Sequence, residues 1–297
     1  MVAKSNFTLS YYLVAYIDML GQQSRLEKFR GLTPSGDCTD QLTEAVKDSL
    51  SIVSYLRETI KSYYESVSKI DAQGPHQLSG DQLATALSLV TCNINVQAVS
   101  DTILLSVCFN PEINKLPILG VRALLLGCAA TFIDLLVRGH ALRGGIELGM
   151  AADIGDGGIY GPALMEASYL EKKVAQYPRI VIGNELQKYL AEMQQVSFSE
   201  FCPRYDKGVA EFLARTTRDY STVCSKLVVK DDDGIAMLDY LGPGLKEITG
   251  QSLPQVGMAK QFLIDERERF RRQQNEKLSS RYERAINYFN SRLGLWQ

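Results

Sequence analysis

Two aspartates, Asp18 and Asp101, each sit at the end of a strongly apolar run and border turn residues. Residues 11–17 (YYLVAYI) are aromatic and β-branched, the composition of a buried strand, and they stop at Asp18 with Gly21 close behind. Residues 90–109 (VTCNINVQAVSDTILLSVCF) read as two β-rich runs that meet at Ser100 and Asp101, which predicts a hairpin. If these strands lie side by side, the two carboxylates approach one another. Paired carboxylates at strand ends suit hard cations such as Mg²⁺ or Mn²⁺, two of which can sit about 3.5–4 Å apart and act on both sides of a displacement. The alternative is that each aspartate only caps its own turn, a common use of the residue.

The neighbouring residues fit a phosphorylated ligand. After Asp18, Met19-Leu20-Gly21-Gln22 forms a turn whose successive backbone N–H groups can receive phosphate oxygens, although a single glycine is a faint signature. Arg143 opens the run LRGGIELG; its planar fork either pairs with phosphate or is solvated at a strand end. Period-two alternation places Asn93, Asn95, Gln97, Val99 and Asp101 on one strand face. Three amides there need hydrogen-bond partners, which the edge of a nucleobase or solvent can supply.

The elements that must position these groups follow from periodicity. Residues 40–69 carry apolar side chains at helical spacing (Leu42, Val46, Leu50, Val53, Leu56, Ile60), and residues 117–138 form a more apolar helix. Residues 142–149 are a strand. A glycine-rich turn at 155–161, a helix over 161–176 and a short strand at 178–183 (PRIVIG) follow. The β-α-β-β-α-β order predicts an α+β, ferredoxin-like fold with helices packed on one face of a mainly antiparallel sheet and the other face left for a ligand or partner. Beyond Asn184 we expect a helical stretch, an irregular region around Pro203, and a hairpin of residues 226–230 and 235–241 joined by DDDG, read as a solvated turn. Residues 260–293 are highly charged with a narrow apolar seam (Phe262, Phe270, Tyr282, Ile286, Phe289), which predicts surface helices. The chain divides on this basis into a catalytic domain over 1–255 and a C-terminal helical extension over 256–297.

Bulk properties exclude several classes. A formal charge of −2 over 297 residues offers no global attraction to nucleic acid, so no nucleic-acid partner is expected. The six cysteines form no CxxC pair and mostly lie in apolar runs, which predicts buried thiols rather than a zinc cluster or disulfide framework. The apolar stretch 116–136 is interrupted by Arg122 and Asp134, so it is expected as a core helix and not a membrane span. The N-terminal MVAKSNFTLS lacks the apolar run of a signal peptide, and a cytoplasmic location is expected.

YIDMLG, VSDTILLSV, LRGGIELG and GGIYGPALMEASYLEKKVAQYPRIVIG stand in the order and spacing of the class III adenylyl/guanylyl cyclase domain, which the chain resembles over residues 10–195. The resemblance implies a class III nucleotide cyclase domain in which Asp18 and Asp101 bind two metal ions, Mn²⁺ or Mg²⁺, together with the carbonyl of Met19. It assigns Arg143 to the triphosphate. It also implies a head-to-tail homodimer. The chain departs from those enzymes at Met165, where they carry Asn, and at Tyr169, where they carry the transition-state Arg. At the base-reading position Gln97 replaces their Lys or Glu.

In these respects, and in the wording IYGPAL…YPRIVI, the sequence resembles the bacterial pyrimidine cyclases of the Pycsar antiphage system. That likeness implies conversion of a pyrimidine nucleoside triphosphate, UTP in preference to CTP, into a 3′,5′-cyclic nucleotide (cyclic UMP or cyclic CMP) read by a separate effector. Asn95, Gln97 and Val99 would then face the base, where an amide can serve either pyrimidine. Two other readings stay open: a catalytically silent nucleotide-binding or regulatory module, and a purine cyclase with a rearranged pocket. A diguanylate cyclase would carry GG[DE]EF where VSDTIL stands.

Overall fold

A computed structural model describes residues 7–21, 36–67, 78–89, 93–113, 115–155, 158–249 and 253–296. The central strand β1 (Thr8–Met19) lies between β3 (Thr102–Cys108) and β4 (Leu142–Gly155), and β2 (Ile94–Val99) forms the edge beside β3. Beyond β4 the sheet continues through β6 (Ile180–Ile182), β8 (Ala236–Leu238) and β7 (Val228–Lys230), while β5 (Gly158–Tyr160) pairs with the far end of β4. All pairings are antiparallel except β4 with β6. Helix α1 (Gly36–Val67) precedes β2, and α3 (Pro117–Val137) links β3 to β4, so the predicted β-α-β-β-α-β core is present with sheet order β4-β1-β3-β2.

Alternation along β1 decides what each face holds. Leu13, Ala15, Ile17 and Met19 enter the main core, whereas Tyr12 and Val14 enter a second, smaller cluster on the opposite face. Helix α3 packs on the first face. It is apolar all round, and by length and composition could cross a membrane, yet it is buried along nearly its whole length. Its two interior charges find partners: the Arg122 guanidinium lies 4.6 Å over the Tyr220 ring, and Asp134 accepts a 3.4 Å hydrogen bond from the Tyr63 hydroxyl.

The second face is not left bare, which corrects the expectation of helices on one face only. Helix α4 (Pro162–Tyr169) lies against β4 and β1, with Ala163 and Ala167 packed beside Tyr12, Val14 and Ala151. Tyr16, Leu104, Asn95 and Gln97 stay half-buried on the sheet.

Three helices absent from the sequence reading are present, α2 (Gly80–Leu89), α6 (Lys207–Ser225) and a short one after β8. Between α4 and α6 runs α5 (Asn184–Met193), and α7 (Pro243–Thr249) follows β8. The charged C-terminal region forms α8 (Leu253–Arg272) and α9 (Glu276–Arg292). These are more than surface helices, because Val256, Ala259, Leu263, Phe289 and Trp296 belong to the same core as α3. Tyr240 stacks on Phe132 of α3 at 4.2 Å and meets Tyr288 of α9 at 4.7 Å. Cys108, Cys128 and Cys224 are buried free thiols as expected, but Cys202 is exposed.

Candidate functional site

The end of β1 is where the chemistry gathers. Asp18 stands opposite Thr102 of β3 on one side and Arg143 of β4 on the other. The Thr102 hydroxyl donates to Asp18 Oδ1 at 3.2 Å, and the Met19 N–H donates to the Asp101 carbonyl at 3.3 Å, holding the β2–β3 turn against the end of β1. That turn has two residues, and Ser100 takes the positive φ of 59° that a tight hairpin demands.

A cleft of about 440 Å³ opens here, lined by Tyr16, Asp18, Asp101, Thr102, Arg143 and Lys172, together with Met19, Leu20, Gly21 and Glu171. Met19 is buried, so it offers the cleft backbone atoms only. Three carboxylates face two cations. The Arg143 Nε–H donates to Glu171 Oε1 at 2.6 Å, its Nη2 closes on the same oxygen, and Nη2 also lies 3.8 Å from Asp18 Oδ2. Glu171 is 1% exposed in its side chain, and Arg143 is its counter-charge. Lys172 sits with its Nζ 5.2 Å over the Tyr16 ring and its charge at the cleft wall.

Glycine makes the approach of Glu171 feasible. Helix α4 continues as a π-helical turn, Leu170–Ala175, which crosses β4 directly over Gly145. A Cβ at Gly145 would overlap the Ala167 carbonyl oxygen and crowd Leu170. A wider turn is a frequent device for redirecting side chains at functional sites.

Burial raises the Asp18 carboxyl to about 6; the Asp101 and Glu171 charges add to that rise, and Arg143 and the Thr102 hydrogen bond oppose it. A half-buried acid pushed up by like charges is a place where a cation is favoured. The donors are hard oxygens, which match Mg²⁺ or Mn²⁺ better than softer metals.

Of the residues singled out from sequence, Asp18, Met19, Leu20, Gly21, Asp101 and Arg143 come together in this one cleft. Gln22 lies outside the described residues. Asn95 and Gln97 sit on the edge strand opposite Ser106 and Leu104, half-buried and away from the cleft lining; Val99 pairs with Thr102. Met165 and Tyr169 project from α4, 66% and 53% exposed, and do not line the cleft. Sequence reasoning missed Thr102, Glu171 and Lys172. The signal for the last two was the LEKK segment behind an RGG strand, which reads as solvated unless the glycines are taken as a docking groove.

The DDDG turn is largely exposed, as expected, but its three acids are also paired with arginines. The buried Arg179 guanidinium pairs with Asp231 at 3.0 Å and with Asp233 at 2.8 Å, while Arg284 from α9 pairs with Asp232 and Asp233 at 2.8 and 2.7 Å. The carboxylates lie close enough together to suggest a cation site, but two guanidiniums already pair with them.

Fold and cleft together define an α+β protein with a ferredoxin-like core and paired carboxylates at the end of its central strand. No protein-family model and no curated protein matches the chain. Among solved structures it is similar to the adenylyl cyclase CyaB from P. aeruginosa, at 15% identity and a TM-score of 0.39, over 63% of this chain and 83% of that one. A likeness of that size carries no argument about what this chain does.

Proposed function

We propose that the protein is a metal-dependent nucleotidyl cyclase that converts a pyrimidine nucleoside triphosphate, UTP in preference to CTP, into a 3′,5′-cyclic nucleotide and pyrophosphate. One observation carries the reading: Asp18 and Asp101 line a single cleft that also holds Arg143, Lys172 and the Leu20-Gly21 turn. Asp18, Asp101 and the Met19 carbonyl would hold two divalent ions. Such ions, when bound, ease ionisation of a ribose hydroxyl and offset charge on the phosphates. In the reaction the 3′-oxygen forms a bond to the α-phosphorus, the bond from that phosphorus to the bridging oxygen breaks, and pyrophosphate leaves.

The chain's own groups supply the rest. Lys172 and Arg143 place positive charge beside the phosphates. Glu171 holds the Arg143 fork in one orientation, so little ordering is needed when ligand arrives. The turn at Leu20 and Gly21 presents backbone to phosphate oxygens. Asn95 and Gln97 read the base, a role the sequence resemblance supports.

A head-to-tail homodimer is supported by the same resemblance and by the exposed apolar side chains of Tyr11, Ile154, Tyr160, Met165 and Tyr169. A partner protomer would supply what Met165 and Tyr169 do not, and a separate effector would read the cyclic product in antiviral defence, with the enzyme in the cytoplasm. A second reading, a silent nucleotide-binding module, is favoured by the engagement of Arg143 with Glu171 and by the absence of amide or charge at Met165 and Tyr169. Incubating purified protein with Mn²⁺ and each of UTP, CTP, ATP and GTP, with mass identification of products, separates the readings. Cyclic UMP made by the wild type and not by Asp101→Ala is the expected result. Cyclic AMP or GMP as the main product would overturn the pyrimidine assignment, and no cyclic product from any triphosphate would leave the binding module.

A further inference from the structure

Arg179 is 1% exposed and makes more hydrogen bonds than a merely neutralising residue needs. Its Nε–H donates to the Ala175 carbonyl at 3.0 Å and its Nη2 to the Val174 carbonyl at 2.9 Å. These are carbonyls at the C-terminal end of the π-helical turn, where intrahelical partners run out and a cation is favoured. Gln176, at φ 53°, ends the turn immediately afterwards. Nη1 donates to the Tyr177 hydroxyl at 3.1 Å and to Asp231 and Asp233 at 3.0 Å each. The backbone carbonyl of Arg179 accepts the Gly144 N–H at 3.0 Å, next to Arg143. One residue therefore ties down both the turn that carries Glu171 and Lys172 and the strand that carries Arg143.

The anchor extends to the C-terminal helices. Arg284 donates to Asp232 at 2.8 Å and to Asp233 at 2.7 Å, and its guanidinium lies 4.6 Å over the Tyr177 ring. Asp233 thus receives both arginines, whose hydrogen bonds outweigh its burial and hold its carboxyl well below the usual range. The path from α9 to the cleft is continuous: Arg284, the acidic turn, Arg179, the π-helical turn, then Glu171 on Arg143.

We propose that Arg179 is a positioning residue for the cleft, and that Arg284 couples the C-terminal helix to it, so that α9 governs whether Glu171 keeps Arg143 off the Asp18 carboxylate. The proposal rests on the reading of the cleft as a metal site. If the turn loosens, Glu171 releases the guanidinium, which lies 3.8 Å from Asp18 and then competes with a cation for it.

The test uses the full chain without nucleotide, as wild type, Arg284→Ala, Arg284→Lys and Arg179→Lys. Amide hydrogen exchange over 169–176 is followed by mass spectrometry, with 207–225 as internal reference, and Mn²⁺ affinity is measured by titration calorimetry. In Arg284→Ala, exchange over 169–176 is expected to speed by about tenfold with the reference unchanged, and Mn²⁺ affinity to fall several-fold. Arg284→Lys should recover part of both. Arg284 lies at the surface, so the test stands if Arg179→Lys fails to fold. Exchange over 169–176 that stays at the wild-type rate in Arg284→Ala overturns the proposal, as does a rise equally large over 207–225, which would mark loss of general stability. A wild type that binds no Mn²⁺ but shows the selective exchange effect sinks the metal reading and leaves the brace; one that binds Mn²⁺ with variants unchanged sinks the brace alone.

Discussion

Asp18 and Arg143 are direct cross-strand neighbours on β1 and β4, with the guanidinium Nη2 3.8 Å from Oδ2, yet Arg143 makes its close contacts to Glu171 instead. The Asp18 carboxylate is therefore only partly neutralised by the protein. Beside Asp101 it retains an excess of negative charge for which a divalent ion is the natural complement.

Replacing either aspartate by asparagine should lower metal-dependent turnover at least about a hundredfold while leaving the fold intact. Mn²⁺ titrations and circular dichroism on Asp18→Asn and Asp101→Asn check both halves. Full activity in either variant removes that residue from the mechanism.

The Asp18 carboxyl is raised from its ordinary value to about 6, so the native state binds a proton more tightly there than the unfolded chain does. Stability from this group is present at low pH and declines as pH rises from about 4 to 6, levelling off above. In thermal melts without divalent metal, Asp18→Asn should gain in Tm relative to wild type at pH 8 and lose that advantage at pH 4. Mn²⁺ should raise the wild-type Tm at pH 8 and have little effect on the variant. An equal Tm difference at both pH values would rule out the shifted carboxyl as its source.

Gly145 is the point where the π-helical turn meets the sheet, and no side chain fits there. Gly145→Ala should cost about 1–3 kcal/mol in chemical denaturation and lift Glu171 away from Arg143. Activity should fall further than stability alone explains; a variant as active as wild type would show that this contact does not align the cleft.

Arg143→Ala strands a buried carboxylate and should destabilise the fold by about 3–5 kcal/mol. Arg143→Ala with Glu171→Gln removes that penalty, so the double variant should regain much of the stability and still bind triphosphate weakly. Calorimetry with UTP in the presence of Mn²⁺ distinguishes a phosphate role from a structural one.

Gln97 lies on the edge strand opposite Leu104, outside the cleft lining. If it reads the base, Gln97→Ala should change the ratio of UTP to CTP turnover and leave Mn²⁺ affinity alone. An unchanged ratio takes it out of base recognition.

Much of this architecture was legible in the sequence because strand ends are marked locally. The apolar runs stopping at Asp18 and restarting after Asp101 located the hairpin and its partner strand, and the glycines of LRGGIELG marked β4. Helix α6 went unseen because its buried positions include Ala210, Ala214, Thr217, Ser221 and Cys224, small or polar residues that blur an apolar stripe. Helix α2 carried a readable signal: the Ser79 and Gln82 side chains exchange bonds with each other's backbone N–H, a reciprocal cap. Glu171 and the pairing of the DDDG acids were missed for a different reason. Charged residues look solvated until their partners are known, and Arg179 stands more than fifty residues from Asp231 in the chain.

Helix α3 leaves the ribosome well before the elements that finally enclose it. Its neighbours α6 and α8 are synthesised only by residue 272, so a segment apolar enough for a bilayer stays without its full cover through much of translation. Apolar surface exposed in this way during synthesis is of the kind that favours aggregation. Late docking of the C-terminal helices is then the event that turns a sticky intermediate into a finished protein.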